Sequence, residues 1–184
     1  MAALPDVNLD FSLMTVEQFR QLPESGELVY ELHHGEVVTL TRPKLRHEKI
    51  QRQLLRLLEP KLKGFGEVTM ELAYRAIAEF DLRAADVAAV SWERWNASEL
   101  DDNLHGAPDL VIEVKSPSNT ARQLRQLVAL CLVNGAIECW IVDTEKKSVT
   151  VIARNGGSVV YLSGGSIPLA RFGGGELAVD GIFA

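Results

Sequence analysis

The chain has 184 residues, 47% hydrophobic and 24% charged, with a net charge of -6. This suffices for one well-packed domain and is short for two; no apolar run reaches the roughly 18 residues that span a membrane, and the acidic balance opposes indiscriminate coating of nucleic acid. Cys131 and Cys139 lie in apolar surroundings without ligand spacing and read as reduced core residues, and the opening residues lack the basic-then-apolar pattern of a signal peptide, so a cytoplasmic protein is expected.

In chain order, Thr15 with Gln18 three residues on predicts a capped helix start, broken by Pro23–Gly26. Leu28–Leu32 and Glu36–Leu40 flank His33-His34-Gly35 as a hairpin. A strong helix follows, with His47, Ile50, Gln51, Leu54, Leu55, Leu58 and Leu62 at three- and four-residue intervals, closed by Gly64 and Gly66. Glu67–Ile77 and Asp86–Ser91 read as strands, and Trp92–Gly106 as a polar loop with a helical turn near Ser98. The strand Asp109–Lys115 is next, then a turn at Ser116-Pro117-Ser118-Asn119 that offers cap groups to a helix over Ala121–Asn134. Glu138–Asp143 is a strand, Ser148–Ala153 and Val159–Leu162 form a hairpin around Asn155-Gly156-Gly157, and the glycine-rich tail reads as loop with short edge strands. The expectation is a single α/β domain over residues 1–184, built around a mixed sheet.

The strand from Pro108 to Lys115 carries charges where a buried strand should have none. Side chains alternate faces, so Leu110, Ile112 and Val114 point one way and Asp109, Glu113 and Lys115 the other, with Glu113 and Lys115 about 7 Å apart. Burying a carboxylate and an amine there is costly unless they are paired or bind metal. Phosphodiester hydrolysis needs such groups: carboxylates on rigid elements hold one or two Mg²⁺ ions, which activate water and absorb charge at phosphorus. Asp86 and Glu113 suit this if their strands are neighbours, with Lys115 beside them to orient water or stabilise charge. A second feature is local: Arg42, Lys44, Arg46, Lys49, Arg52, Arg56, Lys61 and Lys63 are opposed only by Glu48 and Glu59, which makes either a solvated helix face or a phosphate-contacting surface.

Asp86 followed by Glu113-Val114-Lys115 resembles the signature of the PD-(D/E)XK nuclease superfamily. A longer series resembles the Uma-type restriction endonuclease family: Tyr30-Glu31-Leu32 with Gly35-Glu36, His47 opening a helix, Asp86-Val87, Pro108-Asp109 through Glu113-Val114 to Ser116-Pro117-Ser118, and Gly135 with Glu138, Trp140 and Asp143. It covers roughly residues 14 to 183. The resemblance implies a restriction-endonuclease-like core, α-β-β-β-α-β, over about residues 44–145, with the leading hairpin and trailing strands added to it. It implies Mg²⁺, for which Mn²⁺ can substitute, on Asp86 and Glu113 with the Val114 carbonyl, and Lys115 as the catalytic lysine. Glu31 and His47 then line the same pocket, and Asp109 is a further pocket acid and metal ligand or a structural one. Leu127 stands where the family often places a lysine, Cys131 where it has a tyrosine, and Ala85 where it has a proline; none of these removes a ligand.

The implied activity is hydrolysis of DNA phosphodiester bonds by metal-activated water, with Arg42, Lys44, Arg46, Lys49 and Arg52 on backbone phosphates and two copies pairing to address two strands. The alternative is a catalytically silent nucleic-acid- or protein-binding dimer module of the same fold. His33, His34 and His105 read as exposed, Trp92 and Trp95 as packing residues, and Ser116-Pro117-Ser118 as a helix-capping turn rather than a nucleophile elbow.

Overall fold

The computed structural model describes residues 13–23, 29–40, 42–117 and 119–184. The opening segment, most of the expected break at Pro23–Gly26, Leu28 and Ser118 lie outside them. The first helix, α1 (Val16–Phe19), begins as the sequence predicts: Thr15 Oγ1 accepts from the N–H of Gln18, and Gln18 Oε1 accepts from that of Thr15. The strands β1 (Val29–His33) and β2 (Glu36–Leu40) form a hairpin. Its two-residue turn sets His34 at φ 51 and Gly35 at φ 80, the double left-handed conformation that matches strand twist. A Cβ on Gly35 would lie 2.6 Å from that of Leu13.

Helix α2 (Leu45–Leu62) buries Ile50, Gln51, Leu54, Leu58 and Leu62. Then come β3 (Gly66–Arg75), β4 (Arg83–Ser91), a short helix α3 (Trp92–Ala97), β5 (Leu104–His105), β6 (Leu110–Val114), α4 (Ala121–Val133), β7 (Glu138–Asp143), β8 (Ser148–Ala153) and β9 (Ser158–Tyr161). Seven of the strands make one mixed sheet in the order β5-β3-β4-β6-β7-β8-β9. The parallel β6–β7 pair needs a long crossover, and α4 supplies it.

Each face of the sheet has its own core. On one, α2 packs on Val87, Ala89, Leu110, Ile112, Val114, Trp140 and Val142. On the other, α3 and α4 cover Ala85, Ala88, Val90, Val111 and Cys139 with Trp95, Leu127, Val128 and Cys131. Both cysteines are free and buried. This is the restriction-endonuclease-like α/β architecture, with the hairpin in front and strands behind.

Three local expectations change. Trp92–Gly106 is not loop throughout, because its first residues fold as α3 and its end adds β5 to the sheet. The cap of α4 is Thr120 with Gln123, not the preceding serine turn. The tail is more than edge: β10 (Ser166–Pro168) and β11 (Glu176–Ala178) form a separate two-stranded sheet before α5 (Val179–Ile182). Ile167, Leu169, Phe172, Leu177, Val179 and Ile182 are buried against α2, with Phe65 and Phe172 edge-to-face at 5.2 Å. Spaced apolar residues among glycines hide the fact that they share one core face.

Candidate functional site

The site forms where β4 leaves β6. Their ladder runs only from Val87↔Ile112 to Ala89↔Leu110. One step further the register sets Asp86 against Glu113. There β4 changes face within two residues: Ala85 joins the α4 core and Val87 the α2 core. Across β3 the irregularity is matched, since Glu71 takes φ 53 between the pairs Met70↔Val87 and Leu72↔Ala85. A left-handed residue with a Cβ costs roughly 1–2 kcal/mol, and such strain concentrates at functional positions.

Asp86 spans the gap. Its Oδ2 accepts from the Val114 N–H at 2.6 Å, and its Oδ1 accepts from Gln51 Nε2 at 2.9 Å and pairs with His47 Nε2 at 2.8 Å. Helix α2 can deliver both side chains because positions four apart share a face. Gln51 is 1% exposed, and the same nitrogen also donates to Glu71 Oε1. Glu31 comes from the hairpin: the bridge Leu32↔Leu82 ties β1 to the chain just before β4, and Glu31 Oε1 then accepts from the Ala84 N–H at 2.9 Å. Its other oxygen meets His33 Nε2 at 2.6 Å, so His33, expected to be exposed and idle, braces the cluster.

The electrostatics are those of crowded carboxylates. Burial, then the charges of Asp86 and Glu31, push the Glu113 carboxyl well above its ordinary value. Glu71 is raised too, first by partial desolvation and then by the Asp86 and Glu31 charges, against the Gln51 hydrogen bond. Partial burial disfavours the charged imidazole of His47, but the hydrogen bond and charge of Asp86, with Glu71 and Glu48 behind it, raise its pKa overall. Glu31, Glu71, Asp86 and Glu113 therefore crowd one another's charge, with His47 paired to Asp86 at 2.8 Å.

Other expected residues stand apart. Lys115 follows the end of β6 and donates to Asp143 Oδ2 at 3.0 Å, at the rim rather than on Glu113. Asp109 does not join the carboxylates: it sits at the opposite end of β6, where its Oδ2 accepts from the Ser91 N–H at 2.8 Å and Arg94 lies 3.3 Å away. It holds the start of α3. Arg42, Lys44, Arg46, Lys49 and Arg52 are exposed, at and before the end of α2 that supplies His47 and Gln51. Sequence reasoning missed Gln51 and Glu71 as site residues. Gln51 left a signal, a polar residue in an apolar helical stripe; Glu71 left none, because strand alternation places it on an ordinary polar face.

The donor chemistry fits a hard divalent cation, since oxygen ligands with uncompensated negative charge select Mg²⁺, Ca²⁺ or Mn²⁺. Among the described residues no three carboxylate, imidazole or thiolate groups are gathered at ligating distance. Mg²⁺ needs no such cage, being held commonly by one or two carboxylates with waters and substrate phosphate. Asp86 and Glu113 are the carboxylates that would form such a pair.

A family model described as "Uma2: Putative restriction endonuclease" matches residues 16–172. A solved structure from Anabaena variabilis, described as "a putative nuclease belonging to DUF820", superposes with a TM-score of 0.77 at 21% identity, covering 92% of this chain and 97% of that one. At that identity it shows a shared fold. No curated protein matches the chain.

Proposed function

The chain belongs to the Uma2 family, and from that membership we propose that it is a Mg²⁺-dependent endonuclease acting on DNA. The observation that carries the reading is Asp86 set against Glu113 at the parting of β4 and β6, inside a cluster of carboxylates that repel one another. A bound divalent cation, held by Asp86 and Glu113 with the Val114 carbonyl beside them, would relieve that repulsion, lower the pKa of a bound water and neutralise charge at phosphorus.

The remaining roles belong to the protein's own residues. His47 and Gln51 fix Asp86 by hydrogen bonds to one oxygen, leaving its orientation set by α2. Glu71 and Glu31 add negative charge and are themselves tied to Gln51 and to the Ala84 N–H. Lys115 spends one of three ammonium protons on Asp143, and the others are free to meet a phosphate oxygen. Lys44, Arg46, Lys49 and Arg52 are exposed on and just before α2, and they would be the contacts for backbone phosphates. A homodimer is part of the proposal because two strands need two sites; light scattering tests it.

The deciding experiment is calorimetric titration of Mg²⁺ or Mn²⁺ into the native chain and into Glu113→Gln, each with and without DNA, followed by cleavage assays. Saturable binding that the substitution removes, together with cutting by the native chain alone, is the expected result. Heats identical in the two proteins, with DNA present, would sink the metal site.

A further inference from the structure

We propose that the groove beside the carboxylates seats an unpaired stretch of the DNA strand, holding the nucleotides next to the phosphate that is cut; this rests on the nuclease reading above. The groove follows from the sheet's register. Glu113 pairs with Ile141, Ile141 with Thr150, and Thr150 with Val160. Their alternates Trp140, Val142, Val149, Val151 and Tyr161 face the α2 core, so this row lies on the α4 face. A single line of side chains thus runs from the acidic centre to the edge strand. At about 4.8 Å between strands it extends roughly 14 Å, room for a short stretch of one strand.

Helix α4 begins at Ala121, and beside its first turn lies a cavity of about 420 Å³ walled by Asn119, Ala121 and Leu124, floored by Ile141, Ser148, Thr150 and Val160, and rimmed by Lys115 and Lys146. That volume is in the range of small-molecule pockets. Asp143, its acidic lining residue, is occupied: it takes Lys115 Nζ at 3.0 Å and the N–H groups of Glu145 and Lys146 at 3.1 and 3.0 Å. Burial would raise the Asp143 carboxyl, but these donors hold it below its ordinary value.

The pattern matches one ligand chemistry. Two ammonium groups at the rim suit phosphates, and apolar side chains with the hydroxyls of Ser148 and Thr150 suit the face and edge of a base. A duplex hides its base faces and offers phosphates to whatever it rests on, so it would gain nothing from Ile141 and Val160. A strand with bases unstacked fills both halves of the groove. The chain's acidic total makes the rim lysines more telling, because they stand against the field of the rest of the molecule.

The test is fluorescence anisotropy with a labelled single-stranded DNA oligonucleotide and the duplex of the same sequence, using Glu113→Gln as parent to prevent turnover. Val160 is 57% exposed and Lys146 is exposed, so Val160→Glu and Lys146→Ala added to that parent leave the core intact, which circular dichroism verifies. Val160→Glu is expected to weaken single-strand binding about tenfold or more and duplex binding less than twofold. Lys146→Ala is expected to flatten the salt dependence of single-strand binding by about 0.7 in the log–log slope, one phosphate contact. Unchanged single-strand affinity and slope in both variants, or a parent that binds duplex alone, overturns the groove while the nuclease reading stands. If the parent binds neither DNA and the native chain cuts neither with Mg²⁺ or Mn²⁺, the nuclease reading itself fails and the groove falls with it.

Discussion

Asp86 and Glu113 oppose each other one residue beyond the last paired position of the β4–β6 ladder, where the Val114 N–H, freed from strand pairing, is taken by Asp86 Oδ2 at 2.6 Å. The parting of two strands is what lets a carboxylate enter the sheet without leaving a backbone donor unsatisfied. It also places two negative groups together, and the consequences can be measured.

The first concerns stability without metal. The Glu113 carboxyl is raised above its ordinary value of 4.5 by burial and by Asp86. The folded state therefore keeps a proton that the unfolded chain has lost, and stability declines as pH rises from about 4.5 through the folded value. Glu113→Gln removes that loss, so it should melt higher than the native chain near pH 7, by about 2–4 °C for each kcal/mol recovered. The gain should vanish near pH 4. Thermal melts in a chelator at the two pH values decide it, and a lower melting point for Glu113→Gln at neutral pH contradicts the repulsion.

Gln51 separates Asp86 from Glu71 by donating to both. Replacing it with leucine keeps the volume but leaves two carboxylates facing each other with no donor between them. A destabilisation of about 1–3 kcal/mol is expected, and a 10- to 100-fold loss of metal affinity, as for other groups that orient ligands. Chemical denaturation and calorimetry report the two separately. Unaltered metal affinity would reduce Gln51 to a packing residue.

Asp109 gives the opposite pattern. It accepts from Ser91 N–H and pairs with Arg94 at the far end of β6. Asp109→Asn should leave metal binding within about twofold of native and cost about 1–2 kcal/mol, because a charged acceptor at a helix start is lost. A large loss of metal affinity with unchanged stability would return Asp109 to the site.

Acid sensitivity should come from Asp102. His105 first, then Arg20, the Asn103 N–H and Arg75, hold its carboxyl far below the ordinary value of 3.8. The unfolded chain takes up that proton first, so the stabilisation is complete above about pH 4 and is lost as pH falls toward the folded value. Arg20 closes α1 and Arg75 ends β3, so protonation loosens both from the loop between α3 and β5. Asp102→Asn should show a shallower decline in stability between pH 4 and pH 2 than the native chain. Parallel curves would exclude Asp102 as the acid-sensitive group.

Most elements were legible in the chain before it folded, with α3, β5 and the β10–β11 sheet the exceptions. Helical and strand periodicities, the Thr15 capping box and the His34-Gly35 turn are local properties, written within a few residues. Glu113 was legible because a charge in an apolar strand is costly and therefore conspicuous; Asp86 joined it through the resemblance to the nuclease signature. Which groups meet depended on the packing of distant elements. Gln51 reaches Asp86 and Glu71 from α2, and the left-handed Glu71 bend has no mark in strand alternation. Asp109 and Lys115 share Glu113's face by period, yet strand length carries one to Arg94 and the other to Asp143. The tail's buried residues likewise needed α2 as a partner. Periodicity fixes the face of an element, whereas a site depends on register, twist and where two strands part.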